Sequence, residues 1–198
     1  MVTRARGEAG PVGVVLAGGA SRRLGEDKAL LAVGGVSLAA RAAEKLREVC
    51  KEVVVADGGR GVVPELHSVA DGVGRGPAAG VLGAAAAFPG RPLLVLACDL
   101  PAVPPALLAE LLVSGKGDWV VPRWQGRIEP LCALYGAPAL AALGRRAQAG
   151  SFALHLLLEE PGLTVELVEE ILLASFGEPE EIFFNLNTPA DLARWRRA

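Results

Sequence analysis

The chain is poor in the side chains on which much enzyme chemistry depends. It has only two histidines, His67 and His155, well separated, so both read as structural residues and imidazole-activated nucleophilic catalysis is disfavoured. Its three cysteines, Cys50, Cys98 and Cys132, are odd in number and far apart. They offer no zinc spacing and read as reduced thiols of a cytoplasmic protein. Aromatic residues make up 5% of the chain, so a core must be built from Ala, Val and Leu. The formal net charge is −2, which excludes a global positive field for nucleic acid. No apolar run reaches the roughly 18 residues of a membrane span. Asn and Gln occur twice each. That scarcity fits a heat-adapted protein, and the Ala, Gly, Pro and Arg content fits a GC-rich genome equally well.

With 198 residues, of which 52% are hydrophobic, the chain can bury one full core. Met1 to Pro11 carries arginines without a hydrophobic stretch behind them and reads as a disordered tail, not a signal peptide. Residues 12–198 then form one domain. Strand-like runs fall at Val12–Leu16, Glu52–Ala56, His67–Ala70, Pro92–Ala97 and Trp119–Val121. Between them lie helical patterns at Ser37–Cys50, with Ser37 as N-cap, Ala78–Phe88 and Pro104–Val113. This alternation predicts a three-layer α/β/α, Rossmann-like fold with a mostly parallel sheet, whose ligands sit beyond the carboxyl ends of the strands. A turn at Trp124-Gln125-Gly126 and a strand at Leu131–Tyr135 suggest an antiparallel addition. Helices at Pro138–Ala147 and Phe152–Leu158, a strand at Thr164–Val168 and a terminal helix at Pro189–Arg197 complete the reading, with Arg194, Arg196 and Arg197 complementing that helix's dipole.

The most informative stretch runs from Val14 to Lys28. An apolar strand stops at Gly18-Gly19 and opens into a loop carrying Arg22, Arg23, Gly25 and Lys28. Glycines let backbone N–H groups approach an anion, and the cations neutralise several charges at once, so the loop suits a ligand with more than one phosphate. Such glycine turns also occur after strands without any ligand. The spacing is neither the phosphate-binding G-x-x-x-x-G-K-[ST] nor the dinucleotide G-x-G-x-x-G. Asp99 follows the apolar run Leu93–Cys98 and so emerges at a strand's carboxyl end, where it either ligates Mg²⁺ or caps the next loop. Cys98 beside it reads as a small buried residue. Asp71 precedes a glycine-dense loop that leads into a helix, positioned for a base or ribose. Asn185 and Asn187 are the chain's two asparagines. Two apart in extended chain, they face the same side and suit a heterocycle with its own donor–acceptor pattern, although Asn187 or Thr188 could also cap the Pro189 helix.

These residues resemble those of the molybdenum cofactor guanylyltransferases. The matching segments are Leu16–Leu31, Gly76–Gly80, Cys98–Pro101, Glu129–Tyr135 and Asn185–Leu192, in family order and spanning nearly the whole domain. The resemblance implies transfer of GMP from GTP to the phosphate of molybdenum-loaded molybdopterin, with Mg²⁺ as cofactor and pyrophosphate released. It also implies that Leu16, Ala17, Gly18 and Gly19 contact guanine and nucleotide, together with Ser21, Asp71, Gly76, Pro77 and Gly80. Arg23 and Lys28 would hold the triphosphate and, with Asp99 as the Mg²⁺ ligand, form the catalytic set. Asn185 and Asn187 would contact the pterin, and Arg127 and Glu129 would line the acceptor side. Implied partners are GTP, molybdopterin and transiently the proteins that supply or receive the cofactor, with no nucleic acid and no membrane. The chain departs from some relatives after its second strand, where Ala56 and Asp57 replace an Asn; Gly58-Gly59 would let the backbone approach the nucleotide there instead.

Two other readings compete. A nucleotidyltransferase using CTP or a sugar-phosphate acceptor shares the general pattern, but Gly18-Gly19 replaces the Ala-Gly pair common in cytidylyltransferases. A non-catalytic nucleotide-binding protein would not need Lys28 and Asp99 together.

Overall fold

The computed structural model describes residues 10–18 and 27–195. The expectations placed on residues 1–9, on Gly19 to Glu26 and on Arg196 and Arg197 lie outside them.

Strand β1 (Val12–Leu16) is buried at every position, as a strand covered on both faces must be. After a short 3₁₀ turn at Lys28–Leu30 comes a small hairpin, β2 (Ala32–Val33) and β3 (Val36–Ser37). Its two-residue loop, Gly34-Gly35, has positive φ at both positions, the conformation that twists correctly into a tight hairpin. Helix α1 (Leu38–Arg47) starts where the sequence predicts, with the Ser37 hydroxyl accepting from the Ala40 N–H at 3.2 Å. Then follow β4 (Glu52–Ala56), β5 (His67–Val69), α2 (Pro77–Ala87), β6 (Leu93–Ala97) and α3 (Pro105–Ser114). The rest of the chain gives β7 (Trp119–Trp124), β8 (Arg127–Ile128), β9 (Cys132–Tyr135), α4 (Ala137–Gln148), β10 (Val165–Glu169), α5 (Glu170–Leu173), α6 (Pro179–Ile182) and α7 (Pro189–Trp195).

The main sheet has the order β10-β7-β9-β6-β1-β4-β5, with β8 paired to β7. Strands β6, β1, β4 and β5 run parallel; β9 is antiparallel to both neighbours, which is the predicted antiparallel addition. The crossover from β1 to β4 and the one from β5 to β6 travel in opposite directions. Right-handed connection therefore puts α1 on one face and α2 on the other. Helix α3 packs beside α1, and α4 beside α2, giving three layers. The chain leaves β1 towards β4 and later returns to β6 on β1's other side, so the carboxyl end of β1 is a topological switch point.

Several element ends differ from the sequence reading by a residue or a few, the short helices α5 and α6 lie outside it, and three further differences have a structural meaning. Strand β7 continues through Pro122 to Trp124, because the proline sits where β7 changes partner between Val120, opposite Leu134 of β9, and Arg123, opposite Ile128 of β8. The segment predicted as a helix from Phe152 is a 3₁₀ run at Leu154–Glu159; it lacks a side-chain cap and Pro161 follows it closely. The hairpin β2–β3 was not predicted.

Candidate active site

Beyond the carboxyl ends of the central strands, three distant segments meet on one ammonium. Lys28 stands in the 3₁₀ turn after β1, and its Nζ lies 2.7 Å from Asp99 Oδ2 and 2.5 Å from Asn187 Oδ1. Asp99 is two residues past the end of β6. Its backbone carbonyl accepts the Leu186 N–H at 2.9 Å, so one residue holds the asparagine segment by its main chain and Lys28 by its side chain. Leu186 is fully buried between the two asparagines, which sets the register of Asn187 toward Lys28. Asn187 does not cap α7. That role belongs to Thr188, whose Oγ1 accepts from the Asp191 N–H while Asp191 Oδ2 accepts from the Thr188 N–H, a reciprocal capping pair. Asn185 is half-buried.

Asp99 Oδ1 is buried and has no hydrogen-bond partner among the described residues. Asp99 Oδ1, which lacks a donor, and the Asn187 amide oxygen, which shares Lys28 with Asp99 Oδ2, are hard oxygens of the kind that suit Mg²⁺. Among the described residues no cluster of three or more His, Cys, Asp or Glu could hold a metal by protein groups alone. A divalent ion here would complete its shell with water and ligand phosphate.

Glu129 brings a second carboxyl to this end of the sheet. Its N–H donates to the Pro122 carbonyl at 2.9 Å, fixing it at the turn between β8 and β9. Burial pushes its carboxyl up to about 7; the Leu131 N–H opposes that shift and the charge of Asp99 adds to it. Arg127, by contrast, is exposed on β8 and makes no side-chain hydrogen bond or ion pair among the described residues. Cys98 is buried next to Asp99, and burial with that neighbouring charge raises its thiol to about 12, so it is inert, as the sequence suggests.

A second cluster lies at the other side of β1. Gly80 of α2 is packed against β1 and β4 so closely that a Cβ there would stand 3.0 Å from Leu16 Cδ2 and 3.4 Å from Ala56 Cβ. The same Cβ would be 4.0 Å from Asp71 Oδ1, and one on Gly58 3.6 Å from Asp71 Oδ2. Leu16, Gly80 and Asp71 are thus brought together, with Gly76 and Pro77 at the start of α2. Ala17 extends β1, donating its N–H to the Ala56 carbonyl at 3.0 Å, and Gly18 lies over that same carbonyl. Gly19, Ser21 and Arg23 lie outside the described residues.

The sequence reading missed three side chains that organise this site. Asp57 is buried and its carboxylate accepts from Ser68 Oγ and the N–H groups of Gly59, Arg60 and Val62. Burial pushes that carboxyl upward, but these hydrogen bonds together outweigh it and leave it below the ordinary value. The Asp-Gly-Gly sequence is a readable turn signal. Arg60, which donates to the Asp57 and Ala17 carbonyls and to Asp27 Oδ2, has no such signal. Lys45 of α1 is half-buried under the chain after Asp99, donating to the Pro101 and Val103 carbonyls at 2.5 and 2.7 Å; desolvation and then the Arg41 charge lower it to about 8.

Comparison with known proteins bears on this geometry. Residues 13–165 match the family described as "MobA-like NTP transferase domain". A Pelotomaculum thermopropionicum protein named "Probable molybdenum cofactor guanylyltransferase" is 35% identical over 93% of this chain and 91% of its own length. An Opitutus terrae protein of the same name is 39% identical over 93% and 94% respectively. The crystal structure of molybdopterin-guanine dinucleotide biosynthesis protein A from Archaeoglobus fulgidus superimposes with a TM-score of 0.80 at 28% identity, covering 94% of this chain and 97% of that one.

Proposed function

The chain belongs to the MobA-like NTP transferase family, and from that premise we propose that it is a molybdenum cofactor guanylyltransferase. It transfers GMP from GTP to the terminal phosphate of molybdopterin. The observation that carries this is the meeting of Lys28, Asp99 and Asn187, from three segments that the family resemblance singles out, on one cationic centre. Residues 12–198 are read as one nucleotidyltransferase domain.

An oxygen of the acceptor phosphate attacks the α-phosphorus of GTP; that P–O bond forms as the α–β bridge breaks and pyrophosphate departs. A phosphate is already nucleophilic at neutral pH, so no general base is needed, in keeping with a site built without histidine. The obstacle is repulsion between anions, about 4 kcal/mol for unit charges about 4 Å apart at an effective dielectric of about 20. Lys28, with Arg23, offsets that repulsion at the triphosphate. Mg²⁺ would be held at Asp99, whose Oδ1 has no donor among the described residues, and would neutralise charge on the triphosphate and on the departing pyrophosphate. On the other side of β1, Leu16, Ala17 and Gly18, with Gly76, Pro77 and Gly80, form the nucleotide cradle, and the family resemblance adds Gly19 and Ser21 to the nucleotide-binding set. There Asp71 lies on the nucleotide side, its carboxylate turned to the base or the ribose. Asn185 and Asn187 take the pterin, with Arg127 and Glu129 along the acceptor side.

Three free, buried cysteines support a cytoplasmic location, where thiols stay reduced. Among the described residues no helix is long and apolar enough to cross a membrane. Proteins that supply molybdopterin or receive the product complete the set of partners. The test is to offer the purified protein each nucleoside triphosphate with Mg²⁺ and molybdenum-loaded molybdopterin. Dinucleotide formation and pyrophosphate release with GTP is the expected result, and turnover with CTP alone would overturn the guanylyl reading.

A further inference from the structure

We propose that Arg60 is a positioning residue for this transfer, one that sets where Lys28 stands; the inference rests on the reading just given. Asp57 is the buried charged side chain of the described core. Its carboxylate gathers the N–H groups of Gly59 and Arg60, each at 3.1 Å, and of Val62 at 2.8 Å, and folds the segment after β4 into a fixed turn. Gly58 and Gly59, at φ 71° and 83°, make that turn possible, since both lie in the left-handed region. The turn aims the Arg60 guanidinium back across β1. Nε donates to the Asp57 carbonyl at 2.8 Å, Nη2 to the Ala17 carbonyl and Nη1 to Asp27 Oδ2.

Asp27 is the link to the chemistry. Its other oxygen, Oδ1, accepts the Ala29 N–H at 3.1 Å and so caps the turn that carries Lys28. One carboxylate is therefore held by Arg60 on one side and starts the Lys28 turn on the other. Contact runs unbroken from Asp57 through Arg60 and Asp27 to Lys28, and on to Asp99 and Asn187. Three acceptors from three chain segments match the planar, multi-donor fork of a guanidinium; an ammonium cannot reach all three at once. The Arg60–Asp27 pair is partly open to solvent, with side chains 39% and 28% exposed, so it adds little to global stability. Its consequence is the placement of Lys28.

The experiment compares wild type, Arg60→Ala, Arg60→Lys, Asp27→Asn and the Arg60→Ala/Asp27→Asn double variant. It reads kcat and KM for GTP and for the acceptor, and Tm. Arg60→Ala is expected to lower kcat/KM for GTP about a hundredfold. Its acceptor KM should stay within about twofold, since a binding loss confined to one substrate moves only that substrate's KM. Its Tm should fall by no more than about 3 °C. Arg60→Lys should recover little, and the double variant should be no worse than the poorer single one. Unchanged kinetics in Arg60→Ala, full recovery with Lys, or losses that simply add would each overturn the proposal. If Arg60→Ala does not fold, an added Arg60→Lys/Asp27→Asn double variant, compared with its two single variants, decides in its place. If wild type turns over CTP and not GTP, the guanylyl reading fails, and the same comparison with CTP still decides the part played by Arg60.

Discussion

Asp99 faces two ways: Oδ2 is satisfied by Lys28 and Oδ1 by nothing in the described protein. An asparagine there keeps the shape but loses the charge that a cation on a triphosphate needs. Asp99→Asn should therefore lower kcat by about a hundredfold or more while GTP binding, measured by titration, falls much less. Near-normal turnover would remove Asp99 from the reacting centre. Asn187 gives a contrasting test, because its amide oxygen reaches Lys28 from the α7 side. Asn187→Ala should raise KM for molybdopterin by more than it raises KM for GTP, and steady-state kinetics with each substrate varied in turn separates the two. At this scale the sequence was legible where a residue type is rare or sits at a strand end: Asp99 follows an apolar run, and the two asparagines stand alone in composition. Arg60 was not legible, because its role depends on a turn built by Asp57 and on acceptors 33 and 43 positions away in the chain, Asp27 and Ala17.

The elements were legible for a different reason. Strands β1 and β6, and β4 after Glu52, are continuous apolar runs, and Ser37 marks the start of α1 by its chemistry, so periodicity and capping suffice. The hairpin β2–β3 has two residues per strand, too few to show a period. The composition of α2 is explained only by the fold: its small residues let it lie almost in contact with the chain after β5. A Cβ on Gly83 would stand 2.0 Å from the Ala70 carbonyl oxygen, which is backbone and cannot rotate away. Gly83→Ala, favourable by helix propensity alone, should destabilise the protein by about 2 kcal/mol or more as α2 is forced off the sheet. Thermal unfolding of the variant checks this, and an unchanged or higher Tm would show that the helix shifts freely.

Over the whole molecule, the same end of the sheet that gathers cations also crowds carboxyl groups, and that imbalance should appear as a pH dependence of stability. Glu129, raised from 4.5 to about 7 chiefly by burial, contributes stability that is fully present below pH 4.5 and lost as pH rises through 7. Asp57, held below its ordinary 3.8 by its hydrogen bonds in spite of burial, acts oppositely: its contribution is present above that pH and lost as pH falls through the lowered value. Lys45, lowered from 10.5 to about 8 chiefly by desolvation, is protonated in both folded and unfolded chains well below pH 8 and adds no slope there; it adds a rising one only as pH nears 8. The two carboxyls together place the stability maximum of the metal-free protein in mildly acidic solution. Between pH 5 and 8 the Glu129 contribution is at most about 3 kcal/mol, since each tenfold change in proton affinity on folding corresponds to about 1.4 kcal/mol and the group keeps some access to water. Tm should accordingly fall by about 5 °C over that interval in wild type. Glu129→Gln should flatten the slope, because an amide of the same shape cannot ionise, and a variant whose Tm falls as steeply as wild type would locate the titrating group elsewhere.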